Sequence, residues 1–179
     1  MNFKRNNDNI NLDQLAGKLQ KEDARYARLS RSLQIVYWIF IPLYTFLAIS
    51  HYRESSEIKD LIGGLCYVIA FFIFAIFFGI YHKEYKYADY SLPTLKMLKN
   101  AAYRYQPVQL KSIWPLIAVL FMDAGLCLNE SIGFSFLKVQ IYFLGAMFCA
   151  VMIGLTIWYF KYKPLRDNAL RLIAEIEGE

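Results

Sequence analysis

Histidine and cysteine are scarce in this 179-residue chain, with two of the first and three of the second. No CxxC pair occurs, and neither His51 nor His82 has a second ligand at metal spacing. Cys66, Cys127 and Cys149 all fall inside apolar runs, where a free thiol acts as a small hydrophobe, so packing is their expected role. The sequence also lacks a GxxxxGK loop, a nucleophile elbow and an HExxH helix. Gly63–Gly64 opens an apolar run and is not followed by a phosphate-binding pattern. No catalytic residue, metal site or cofactor is expected, and the chain reads as non-enzymatic. Charge is limited too: Asp, Glu, Lys and Arg make up 20% of the residues, below the roughly 25% of soluble domains. The first thirty residues hold no apolar core before a small-residue cleavage site, so no cleavable signal is expected.

What the chain has in abundance is apolar sequence, 57% by residue, with a mean hydropathy of +0.27. A helix crosses the hydrocarbon with about 20 apolar residues. Four runs approach that length: Leu33–Ser50, Leu61–Tyr81, Ile113–Leu128 and Leu137–Tyr159. The third is short and carries an acid. The fold class expected is therefore an all-α, polytopic membrane protein with four transmembrane helices and cytoplasmic amphipathic helices. Orientation follows from the basic residues, which accumulate on the cytoplasmic side of short loops. All but three of the 20 Lys and Arg lie in residues 1–32, 82–112 and the tail from 161. Only Arg53, Lys59 and Lys138 fall on the other face. Both termini are thus expected in the cytoplasm. The net charge of +5 reads as a topology signal and not as a nucleic-acid surface. Tyr37, Trp38, Tyr81, Tyr85, Trp114, Trp158 and Tyr159 mark span ends at headgroup depth.

The organisation expected is a cytoplasmic amphipathic helix in 1–32, a transmembrane hairpin in 33–81, a cytoplasmic loop with a helix in 82–112, a second hairpin in 113–160, and a C-terminal helix in 161–179. The first helix has an apolar stripe at Leu12, Leu15, Leu19, Tyr26, Leu29 and Leu33, interrupted by Glu22. Pro93 suits the start of a central helix with Leu95, Leu98, Ala102 and Tyr105 on one face. Pro164 opens or kinks the last, whose stripe is Leu165, Ala169, Leu172 and Ile176, with Gly178 ending it. Three such stripes have three outlets: packing on one another, lying in the membrane interface, or meeting a partner. Tyr85, Tyr87, Tyr90, Tyr103 and Tyr105 stand among Lys and Arg in the central loop. Such mixing can stack on nucleic acid, but the neighbouring span makes an aromatic belt and helix extension the simpler reading.

Asp123 is the sharpest polar candidate, because a carboxylate inside an apolar span costs roughly 2.5–3.5 kcal/mol to insert. It is expected either to be held structurally, by Lys138 or by Ser131 and Ser135, or to serve a proton or cation path. Small residues mark candidate helix-packing faces: Ala146, Ala150 and Gly154 in the fourth run, and Ala75 and Gly79 in the second. Packing within the bundle and contact in a homo-oligomer are both consistent with them. The two hairpins follow one plan, with a proline in each first span (Pro42, Pro115) and an aromatic–basic exit from each second span. Any two membrane hairpins share such features, so duplication does not follow.

The stretch EYKYADYSLPTLKMLKNAAYRY, followed by QPVQLKSIWPLIAVLFMDAGL, resembles small four-helix inner-membrane proteins of Bacteroidota-type bacteria that carry no assigned activity. The resemblance covers the chain from about Leu12 and implies location and topology only. In size and topology the chain is also similar to immunity proteins against pore-forming bacteriocins. Three functional expectations follow. The first is an interaction or regulatory protein presenting cytoplasmic helices to a protein partner, with the lipid bilayer around its core. The others are an oligomeric channel or transporter with Asp123 in its path, and immunity to a membrane-inserting toxin.

Overall fold

A computed structural model describes residues 12–128 and 135–178. All the regular elements among them are helical. Helix α1 runs Leu12–Ser55, α2 Ile58–Lys86, α3 Thr94–Arg104, α4 Ile113–Leu128, α5 Phe136–Ile157 and α6 Lys163–Glu177. A 3-10 turn at Leu110–Ser112 leads into α4, and a π-helical segment at Trp158–Tyr162 joins α5 to α6.

Three stretches are long and apolar enough to cross a membrane: Leu12–Ser55, Ile58–Lys86 and Phe136–Glu177. Helix α4, at 16 residues, is shorter. Two expected boundaries are revised. From Leu12, the first residue described, the segment 1–32 is not a separate helix, because α1 continues without a break for 44 residues. At 1.5 Å per residue that is about 66 Å, more than twice a hydrocarbon layer of about 30 Å. Pro42 sits inside α1. Likewise 161–179 is not set off from the preceding run, since α6 continues α5 through the π segment. Residues 1–11, and Ser131, lie outside the described residues.

Helices α1 and α2 form an antiparallel hairpin that turns at Ser56, whose φ of 57° is the left-handed conformation that commonly closes a helix. Aromatic rings fill the seam. Tyr37 stacks against Phe74 and Phe78, with centroids 5.1 and 5.6 Å away, and Tyr44 meets Phe71 at 4.7 Å. Small residues let the backbones close in. Ala70 and Ala75 are fully buried, and a Cβ on Gly79 would come within 2.5 Å of Gln34. Helix α4 packs on α2, where Gly125 faces the Gly63 carbonyl and the Tyr67 ring.

Helix α5 departs from the symmetric plan. It makes little contact with α4, and most of its length is exposed. Ala146, Ala150, Gly154 and Cys149 all lie on open surface, and a Cβ at Gly145 or Gly154 would meet nothing within 4 Å. The small-residue stripe of the fourth run is therefore not a packing face within the chain, whereas Ala75 and Gly79 are. The packing role expected for cysteine fails at Cys149; Cys66 and Cys127 are half-buried.

Candidate functional site

Most of the buried core gathers at one end of the hairpin. Leu15, Leu19 and Ala27 of α1, Tyr85 of α2, Met97, Leu98, Ala101 and Ala102 of α3, Tyr105 just beyond it, and Ala169 and Ile173 of α6 form one cluster. Mutual packing, one of the three outlets expected for the amphipathic stripes, is observed. Ile176, on the expected stripe of α6, is instead exposed, as is Leu29 of α1.

At the centre of this bundle sits an acid that the sequence reading passed over. Asp23 is 1% exposed and shares the buried face of α1 with Leu15, Leu19, Ala27 and Ser30. Its Oδ2 accepts from Arg104 Nη2 at 2.8 Å and from the Tyr90 hydroxyl at 2.5 Å. Its Oδ1 accepts from the Tyr105 hydroxyl at 2.5 Å. A buried carboxylate is tolerable only when paired and hydrogen-bonded, and three donors meet that need. The acid thus ties α1 to both ends of the region containing α3.

The surrounding tyrosines respond to this setting. Burial, reinforced by the Asp23 charge, pushes the Tyr105 phenol far above its ordinary value of 10. Tyr90 moves the same way through burial and its hydrogen bond to Asp23. Tyr85 is raised by burial and by the neighbouring Tyr26 and Glu84. All three remain protonated donors. Tyr85 gives its hydrogen to the Arg104 carbonyl at 3.1 Å. Gln109 Nε2 also donates to that carbonyl, at 2.8 Å, and to the Tyr103 carbonyl at 3.0 Å, satisfying two acceptors at the end of α3.

The π segment docks on the same node. Trp158 Nε1 donates to the Tyr105 carbonyl at 2.9 Å, and Tyr162 stacks on the Tyr105 ring at 5.6 Å and 15°. Lys161 pairs with Glu22 of α1 at 2.6 Å. A cavity of about 510 Å³ opens beside it, between the α2 aromatics Phe77 and Phe78 and the face formed by Gly154 of α5 and Trp158 of the π segment. A second cavity of about 630 Å³ lies on the other side of Asp23, between α1 and the end of α2.

Asp123 lies elsewhere. Its Oδ1 accepts from Gln140 Nε2 of α5 at 2.7 Å, and the same amide nitrogen is 3.0 Å from Cys127 Sγ. Lys138 and Ser135 are exposed, and the partner that holds Asp123 is Gln140, which the sequence reading did not name. The tyrosines of the central loop divide: Tyr85 and Tyr105 are buried and Tyr90 is partly so, while Tyr87 and Tyr103 face outward. His82 uses Nδ1 to donate to the Ala27 carbonyl of α1 at 2.9 Å.

The one signal in the sequence for Asp23 was a gap. The stripe leaves a spacing of seven from Leu19 to Tyr26, and Asp23 fills the missing helical turn. The arrangement holds helices together. Protein families, curated proteins and solved structures offer no match to this chain.

Proposed function

We propose that this protein crosses the bacterial inner membrane four times with both termini in the cytoplasm, and acts without catalysis as an interaction or regulatory protein. The excess of Lys and Arg at the bundle end supports that orientation. Helix α4 spans only about 24 Å, and the turn at Leu110–Ser112 extends it towards the bundle. The observation that carries the interaction reading is the buried Asp23–Arg104 contact at 2.8 Å. It makes the three polar segments one preassembled body with a fixed outer face. Because most of the stripe residues are buried inside that body, a partner meets its exterior, where Tyr87, Tyr103 and Lys96 are exposed beside Leu29 and Ile176.

Two measurements test this. Single cysteines at Ser56 and Lys96, in a chain stripped of native cysteines, are expected to react with impermeant reagent from opposite sides of the membrane. Labelling from one side would end the four-crossing reading. A photo-crosslinker at Tyr103 is expected to give one discrete adduct in cells, while one at Leu144 gives none. Failure at Tyr103 across growth conditions would end the interaction reading.

A further inference from the structure

Several basic side chains of the bundle meet a carboxylate. Lys99 pairs with Glu177, Lys111 with Glu84, Lys161 with Glu22 and Arg104 with Asp23. The basic residues around the 630 Å³ cavity do not. Arg28 and Arg31 stand three apart on α1, and His82 and Lys86 four apart on α2, so each pair shares a helix face. All four line this cavity. The Arg31 guanidinium reaches only the neutral Gln34 amide, at 2.9 Å. Lys86 lies over the Tyr87 ring, 5.3 Å from its centroid. Neither these two nor Arg28 meets a carboxylate among the described residues. Asp23 forms part of the wall, but its oxygens are taken by Arg104, Tyr90 and Tyr105, which leaves the cavity electropositive.

We propose that this cavity binds a phosphate group, and that the phosphate is the headgroup of an anionic lipid in the adjoining leaflet. Arg31 lies two residues before the apolar run that opens at Leu33, and His82 directly follows the run that ends at Tyr81. The four basic residues therefore stand at the depth where lipid phosphates lie. Basic cavities between spans on the cytoplasmic side suit anionic headgroups. The guanidiniums of Arg28 and Arg31 supply forked N–H donors for phosphate oxygens, and Lys86 adds a mobile point charge. His82 is oriented by its Nδ1–H bond to the Ala27 carbonyl. The lipid source rests on the membrane reading above; the phosphate chemistry does not.

The test uses the purified full chain in an uncharged detergent, titrated separately with dioctanoyl phosphatidylglycerol, dioctanoyl phosphatidylcholine and inorganic phosphate. Bound copies are counted by native mass spectrometry. Phosphatidylglycerol is expected to bind about tenfold more tightly than phosphatidylcholine, and the double variant Arg28→Gln/Arg31→Gln to lose that preference. Both arginines are exposed, so the variant is expected to unfold at the wild-type temperature. Lys18→Gln/Lys96→Gln removes two exposed cations away from the cavity and is expected to keep the preference. Inorganic phosphate binding as tightly as phosphatidylglycerol, and lost in the arginine variant, would retain the phosphate site but assign it to a soluble phosphate ester. A preference unchanged in the arginine variant, or lost equally in the lysine variant, overturns the site. Alkaline extraction of membranes reads the crossings separately, so a chain released by alkali with its phosphate binding intact fails that reading and not this one.

Discussion

Arg104 Nη2 meets Asp23 Oδ2 at 2.8 Å across 81 residues of sequence, with the two side chains 10% and 2% exposed. Removing one partner of such a pair leaves the other charged and desolvated. We expect Asp23→Leu to destabilise the bundle by about 3–5 kcal/mol, and the added substitution Arg104→Met to recover most of the loss. Thermal unfolding and protease cleavage of the 87–93 loop read both. Equal instability of the single and double variants would show that the ion pair is not what holds the bundle.

The tyrosines around Asp23 set an alkaline limit. Burial holds Tyr85, Tyr90 and Tyr105 above their ordinary value of 10. A group whose folded value is raised contributes its full stabilisation below the unfolded value and loses it as pH climbs towards the folded one. Bundle stability is therefore expected to hold up to about pH 10 and to fall above it. Tyr105→Phe should flatten that fall while costing about 1–3 kcal/mol at neutral pH, since Asp23 loses a donor. Unfolding midpoints across an alkaline series check this.

The glycines divide into two mechanical classes. A Cβ at Gly64 would collide with the Ala48 side chain and lie 3.2 Å from its Cα, whereas one at Gly145 meets nothing within 4 Å. Gly64→Leu is expected to destabilise the α1–α2 hairpin by about 1–3 kcal/mol, and Gly145→Leu to leave unfolding in detergent unchanged. If Gly145→Leu instead lowers the oligomeric mass, the exposed face of α5 meets a second copy.

Gln140 is the residue that steadies Asp123. Polar contacts between membrane helices average about 0.6 kcal/mol with a maximum near 1.7. We expect Gln140→Leu to cost about that much, and Asp123→Asn to leave ion flux in reconstituted vesicles unchanged. A flux that appears in the wild type and disappears in Asp123→Asn would instead place the acid in a transport path.

Helical periodicity was legible wherever the residues doing the packing were apolar. Leu15, Leu19, Leu98 and Ala169 are buried where their spacing places them. The pattern failed where a polar residue takes a core position, because spacing registers hydrophobicity and not hydrogen bonds. Asp23 therefore read as a break in a stripe, although it is the node of the bundle. Gln140 escaped notice for a related reason: an amide in an apolar run carries no charge to mark it.

The sequence by itself determined an all-helical chain with long apolar runs and basic residues concentrated beside them, since apolar content, helical period and charge placement are local properties. Tertiary structure decided which faces are used. The stripe of α2 is consumed against α1 and that of α5 is left open, although both are built from the same small residues. The tertiary fold also brought Asp23, Tyr90, Arg104 and Tyr105 to one point, because the energy of a buried charge depends on which donors reach it through space, and those donors come from segments far apart in the chain.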